Sequence, residues 1–200
     1  MPKLRIIAGT YGSRLINAPR GHKTRPMGDR VRSALFNKVS VEGVTVLDAY
    51  AGSGALGFEA LSRGAEHVDF VENDRRAGEA IKANIAALGA ERESRLYQVS
   101  VPTFIGAAEK LGQVYDVIFV DPPYQYFTQK PDYFSTILSE NGLRKLAKDK
   151  GFMVISYPEG LHVPTVNGVV VVDKSNYGEA TLAVLRFMNT TEREGADEKQ

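Results

Sequence analysis

Three observations predict a Rossmann-like α/β chain: a seven-stranded, mostly parallel sheet with helices on both faces, preceded by a β-hairpin extension. Apolar, strand-like runs alternate with stretches of helical period from residue 44 onward. A glycine-rich segment, Gly52-Ser-Gly54-Ala-Leu-Gly57, falls between one such run and the helix that follows it. A strongly apolar run over 115–120 ends in Asp121-Pro-Pro-Tyr124. Repeated βα units of this kind build a parallel sheet covered on both sides.

Residues 3–8 and 14–17 flank Gly9-Thr-Tyr-Gly12-Ser13, so the chain opens with a hairpin closed by a glycine-containing turn. From Asp29 the apolar positions Val31, Ala34, Leu35 and Val39 take a helical period. Asp29 caps or favours the start of this helix, and Arg30 and Arg32 point away from its apolar side. The helix is expected to pack on the main domain and present arginines. Strands follow at 44–47, 67–71, 95–99, 115–120 and 152–156, with helices at 55–63, 74–88, 102–111 and 133–147. Gly64 and Gly89 stop two of the helices, and Asn73 is the expected N-cap of the second. An antiparallel pair at 169–172 and 181–187 closes the sheet, and the polar residues 189–200 are expected to fray. The chain thus divides into a basic extension (1–40), a main domain (41–188) and a tail.

A chain of 200 residues with 43% hydrophobic content can bury a single core without disulfides or structural metal. It has no cysteine, which excludes thiolate catalysis and Cys-ligated zinc and fits a reducing cytoplasm. The apolar block at 4–9 is too short for a signal peptide, and no run approaches a membrane span. His22, His67 and His162 are scattered, and no ligand cluster has metal-site spacing, so no catalytic metal is expected. The net charge of +1 hides an asymmetry: residues 1–32 hold eight basic side chains against one acid, Asp29. A basic arm on a mildly acidic body is expected to meet a polyanion, with Arg14, Arg25 and Arg30 as candidate contacts.

The glycine segment offers a cofactor cradle made of Asp48, Tyr50, Ala51, Gly52, Ser53 and Gly54. Glycine permits a tight turn and lets backbone amides approach a ligand. Glu72, twenty residues after Gly52 and followed by Asn73, is placed to accept hydrogen bonds from ribose hydroxyls. This set alone fits NAD, FAD and S-adenosylmethionine. Asp48 favours the last, because a carboxylate at the strand tip repels a pyrophosphate but holds the ammonium of a methionyl group; its alternative role is to cap the loop. Ser100 could meet the adenine edge or serve simply as a turn residue.

Asp121-Pro-Pro-Tyr124 should open at the carboxyl end of the strand beside the first, where a methyl donor and its acceptor would meet. An exocyclic amine is a poor nucleophile because its lone pair is delocalised into the ring. If Asp121 and the Pro122 carbonyl accept its two N–H groups, the lone pair can be aimed at the methyl. Pro122 and Pro123 stiffen the loop, and Pro123 adds no competing donor. Tyr124 would stack on the extruded base, worth about 1–3 kcal/mol and tolerant of base identity.

Arg25-Pro-Met-Gly-Asp29-Arg-Val-Arg32-Ser-Ala-Leu-Phe36-Asn37, Val46-Leu-Asp-Ala-Tyr-Ala-Gly-Ser-Gly-Ala-Leu-Gly57-Phe-Glu-Ala-Leu-Ser-Arg-Gly-Ala65 and Asp121-Pro-Pro-Tyr124 together resemble the RsmD family of bacterial ribosomal RNA guanine-N2 methyltransferases. The resemblance spans nearly the whole chain. It implies a class I methyltransferase sheet, S-adenosyl-L-methionine as cofactor, and a guanine of small-subunit (16S) RNA or the 30S subunit as substrate, handled by a cytoplasmic monomer. It also implies cofactor contacts at Gly52, Gly54 and Glu72 and base contacts at residues 121–124. Met27-Gly28, Ala49-Tyr50 and Ser100-Val101 stand where the family usually has Thr-Thr, Leu-Phe and Asp-Ala, and the third departure leaves the adenine contact open. The alternatives are an adenine-N6 methyltransferase, an NAD-linked oxidoreductase that leaves Asp-Pro-Pro-Tyr unexplained, and a non-catalytic RNA-binding assembly factor.

Overall fold

The computed structural model describes residues 2–19, 27–129, 132–163 and 168–188. It begins with the antiparallel hairpin β1 (Lys3–Arg5) and β2 (Leu15–Asn17), followed by α1 (Asp29–Lys38). Then come β3 (Thr45–Asp48), α2 (Ala55–Ser62), β4 (His67–Val71), α3 (Arg75–Leu88), β5 (Ser94–Tyr97), α4 (Val101–Lys110) and β6 (Tyr115–Val120). The chain continues through α5 (Gln125–Gln129), α6 (Tyr133–Leu138), β7 (Ala147–Pro158), β8 (Val169–Tyr177) and β9 (Ala180–Phe187). Strands β3 to β9 form one sheet in the order β5-β4-β3-β6-β7-β9-β8. The first five in that order run parallel, and β9 is antiparallel to both β7 and β8.

Side chains alternate across each strand, so the central strands feed two separate cores. Val46, Val68, Phe70, Val117, Phe119 and Val154 pack with α2 and α3 on one face. Leu47, Val71, Ile118, Val120, Met153 and Ile155 pack with α4, α5 and α6 on the other. Strands buried on both faces read as continuous apolar runs, which is why β6 was so legible. Sequence order starts at β3, moves through β4 to β5, then returns to β6 on the other side of β3. That reversal leaves a crevice at the carboxyl ends of β3 and β6, the usual ligand position in such sheets.

The amino-terminal hairpin and α1 share the core of the first face, with Ile6 and Ile16 of the former and Leu35 and Phe36 of the latter in one cluster with Phe58 and Phe70. Polar ties fix it to α2. Glu59, fully buried, accepts the backbone N–H of Ile7 at 2.7 Å and of Ala8 at 3.2 Å. The Ser62 hydroxyl donates to the Ala8 carbonyl and accepts the Tyr11 N–H at 2.9 Å. Gly9 has φ +80°, and a Cβ there would overlap the Ser62 carbonyl, so only glycine lets the turn lie this close.

Several expectations need correction. Arg32 is not a displayed arginine. It is 1% exposed, bonds the Arg5 carbonyl at 2.5 Å and Asp29 at 3.0 Å, and lies 3.9 Å from Glu59, joining α1 to the hairpin and α2. Asn73 does not cap α3; Asp74 does, its side chain accepting the Ala77 N–H at 2.9 Å. Of the two roles open to Asp29, it favours the start of α1 as its first helical residue, while Gly28 holds the cap position. The helix expected over 133–147 ends at Leu138, where Ser139 turns extended; Gly142, also extended, then leads into a 3-10 turn at Leu143–Leu146, and β7 begins at once. The strand expected over 152–156 is correspondingly longer, as is β8. The tail and Arg25 lie outside the described residues. No described helix is long and apolar enough to cross a membrane.

Candidate active site

The chain leaves β3 at Asp48 and turns through the glycine loop into α2. Gly54, the N-cap of α2, has φ +78°, and a Cβ there would meet the Phe58 ring, so the loop folds this tightly only with glycine. Backbone bonds from Ala51 N to Val71 O (3.1 Å) and from Gly54 N to Ala51 O (2.6 Å) seat the loop across β4. Ala51 and Ser53 are nearly buried, and Tyr50 is half-buried.

Two carboxylates occupy the backbone amides of this loop. Asp48 Oδ2 accepts the Gly57 N–H at 3.0 Å, at the amino end of α2 where a negative charge is favoured. Glu72 Oε2 accepts the Gly52 N–H at 2.7 Å, while its Oε1 accepts the Asp74 N–H at 2.7 Å. Asp48 is 1% exposed, and burial pushes its carboxyl from 3.8 to about 7, with the charges of Asp121 and Glu72 adding to the rise. Three acids from the ends of β3, β4 and β6 therefore converge on one crevice.

This donor set decides which cofactor fits. A pyrophosphate needs free loop amides, and here Gly52 and Gly57 already donate to carboxylates, with a third acid close by. A dinucleotide would bring negative charge to an acidic pocket lacking those donors. A ligand carrying an ammonium and a sulfonium beside a ribose suits it. Asp48 thus fills the alternative, loop-capping role, with one oxygen bound to Gly57.

Asp121 follows β6 directly. Its carboxyl is raised by burial and lowered by a hydrogen bond with Ser156. Tyr124, half-buried, brings its hydroxyl to 3.4 Å from the Ser156 hydroxyl. Pro122 is buried, and among the described residues no hydrogen bond reaches its carbonyl, whereas the Pro123 carbonyl accepts the Tyr126 N–H at 2.9 Å and turns the chain into α5. A groove of about 480 Å³ opens beside Tyr124, lined also by Gln125, Thr128, Pro158, Glu159 and Glu179. Tyr50 packs edge-on against Tyr126 (6.2 Å) and Tyr133 (6.5 Å), so the glycine loop touches the helices after Asp121-Pro-Pro-Tyr124.

Asp48, Tyr50, Ala51, Gly52, Ser53, Gly54, Glu72 and residues 121–124 are thus gathered at the crevice. Asn73 is exposed next to Glu72. Ser100 caps α4, its Oγ accepting the Thr103 N–H at 3.4 Å and meeting the Thr103 hydroxyl at 2.8 Å. Arg14 is exposed, lies over the Tyr11 ring and bonds the Ala87 carbonyl; Arg30 is exposed in the first turn of α1. Ser156 was missed. Its only signal is a lone hydroxyl in the apolar run 152–157, where a polar side chain must find a partner.

The family model described as conserved hypothetical protein 95 matches residues 4–186. The chain belongs to this family, the RsmD family of methyltransferases. Its RsmD-family relatives include YlbH of Bacillus subtilis, 33% identical over 186 residues, spanning 92% of this chain and 98% of the relative. Ribosomal RNA small subunit methyltransferase D of Haemophilus influenzae is 34% identical over 145 residues, 71% of this chain and 74% of its own length. The solved structure of Escherichia coli yhhF superposes with a TM-score of 0.77 at 27% identity, covering 94% of this chain and all of that one. The class I methyltransferase sheet expected of an RsmD-family member is the one found here.

Proposed function

We propose that this chain uses S-adenosyl-L-methionine to methylate the exocyclic N2 amino group of a guanine in small-subunit (16S) ribosomal RNA. The observation that carries methyl transfer is the pairing of amide-bound carboxylates at Gly52 and Gly57 with an Asp-Pro-Pro-Tyr loop at the adjacent strand end. The ribosomal substrate is supported by the name of the Haemophilus influenzae relative, and guanine N2 by the family resemblance.

When bound, the donor supplies an electrophilic methyl group on a sulfonium. Asp48 and Glu72 hold its cationic and ribose ends, and Tyr50 packs beside them. Asp121 and the Pro122 carbonyl accept the N–H groups of the target amine and turn its lone pair toward the methyl. Tyr124 offers a ring for the extruded base to stack on. Asp121 takes up the proton that the nitrogen sheds once methylated. Arg14 and Arg30, with Arg25, meet RNA phosphates on the extension, residues 1–40, while 41–188 carry the chemistry. We place this activity in the cytoplasm, in a monomer acting on ribosomal RNA or the 30S subunit.

The test is incubation with labelled cofactor and, separately, ribosomal RNA, 30S subunits lacking the modification, and duplex DNA, with the product nucleoside identified by mass spectrometry. N2-methylguanosine in small-subunit RNA is expected. N6-methyladenine would move the reading to adenine, and absence of label would end the methyltransferase reading.

A further inference from the structure

We propose that Ser156 is a positioning residue that fixes both ends of the Asp121-Pro-Pro-Tyr124 clamp through one oriented hydrogen-bond chain. The proposal rests on the methyl-transfer reading. Val120 of β6 pairs with Ile155 of β7, so the next residues along, Asp121 and Ser156, leave the ladder side by side. Ser156 is 5% exposed, and its strand neighbours Ile155 and Tyr157 are fully buried. A hydroxyl in such surroundings is costly unless bonded.

The Ser156 hydroxyl lies 3.4 Å from the hydroxyl of Tyr124, the last of the four clamp residues, and the β6–β7 register sets it beside Asp121, the first, whose carboxyl pKa it lowers. An ionised carboxylate only accepts, so in the proposed chain Ser156 donates to Asp121. Its lone pairs are then left to accept from Tyr124, and the chain runs Tyr124 O–H to Ser156 O–H to Asp121. Pro122 and Pro123 have no N–H to make such a tie themselves. The hydroxyl thereby anchors the carboxylate that must receive the amine and favours its charged form, opposing the burial that raises it. It also sets the tilt of the Tyr124 ring.

Ser156→Ala should lower kcat about tenfold, the loss of one hydrogen bond to a charged group, with cofactor affinity unchanged. Asp48 and Glu72 face Asp121 across the crevice, so the pH–rate profile is read at saturating cofactor, where its acid limb should move to higher pH. Tyr124→Phe, which leaves the bond to Asp121 intact, should not move that limb. NMR titration of the carbon-13-labelled Asp121 carboxyl reads the same claim without turnover: its pKa should rise in Ser156→Ala. An unmoved carboxyl titration in that variant, or an unmoved acid limb, would overturn the positioning role. Absence of methyl transfer by the unmodified protein would instead sink the functional reading, leaving the titration to decide this one.

Discussion

Glu72 accepts the backbone N–H of Gly52 at 2.7 Å, so the acid expected to meet the cofactor ribose also holds the glycine turn in shape. Its other oxygen binds the Asp74 N–H at 2.7 Å, which places it by two backbone contacts. A carboxylate has about four acceptor sites, so both oxygens retain capacity for ligand hydroxyls.

Glu72→Ala should therefore weaken cofactor binding twice over, by losing the ribose acceptor and loosening the loop. Two charged-group hydrogen bonds at about 1.5–3 kcal/mol each predict at least a hundredfold loss of S-adenosylhomocysteine affinity by calorimetry. A change below threefold would show that Glu72 serves the loop alone.

Asp48 gives a pH dependence with a definite sign. Its folded-state carboxyl is raised from 3.8 to about 7, so the folded chain binds the proton more tightly than the unfolded one. This contribution to stability is fully present below the unfolded value and is lost as pH rises through about 7. Relative to Asp48→Asn, the unmodified chain should lose stability in urea titrations between about pH 4 and about pH 7. A cationic ligand stabilises the charged carboxylate, so S-adenosylhomocysteine affinity should rise over the same range and flatten in Asp48→Asn.

The Arg32–Glu59 contact at 3.9 Å lies wholly inside the protein. Glu59→Ala leaves Arg32 buried without that partner and frees the Ile7 and Ala8 amides, a loss of about 3–5 kcal/mol. For a chain of this size each kcal/mol shifts Tm by about 2–4 °C, so a drop of roughly 6–20 °C is expected by calorimetry. Hydrogen exchange at Ile7 and Ala8 should speed up most.

RNA binding tests the basic extension. Replacing Arg14, Arg25 and Arg30 together by alanine should flatten the salt dependence of RNA affinity by about 0.7 per lost phosphate contact in a log–log plot. Filter binding across a salt series measures it, and an unchanged slope would turn this face away from the RNA.

The sheet was readable because buried parallel strands are apolar throughout, and β6 at Tyr115–Val120 is the plainest case. The position of the glycine loop and of Asp121-Pro-Pro-Tyr124 at adjacent strand ends was readable because each follows an apolar strand run. What was hidden depends on contacts distant in sequence. Arg32 looks like a surface arginine until the hairpin and Glu59 enclose it, and Ser156 gains meaning only through the β6–β7 register. The division of 133–147 was missed because helix-forming residues on both sides of Gly142 masked a break that packing against α6 imposes.

The central claim is that the crevice between β3 and β6 joins a methyl donor to an amine held by Asp121. Single-turnover transfer of labelled methyl to small-subunit RNA, by the unmodified chain and by Asp121→Ala, tests it most directly when paired with calorimetric cofactor affinity. The account predicts transfer by the former and a loss of about a thousandfold or more in the variant, with cofactor affinity retained. Near-equal rates in the two proteins would contradict it.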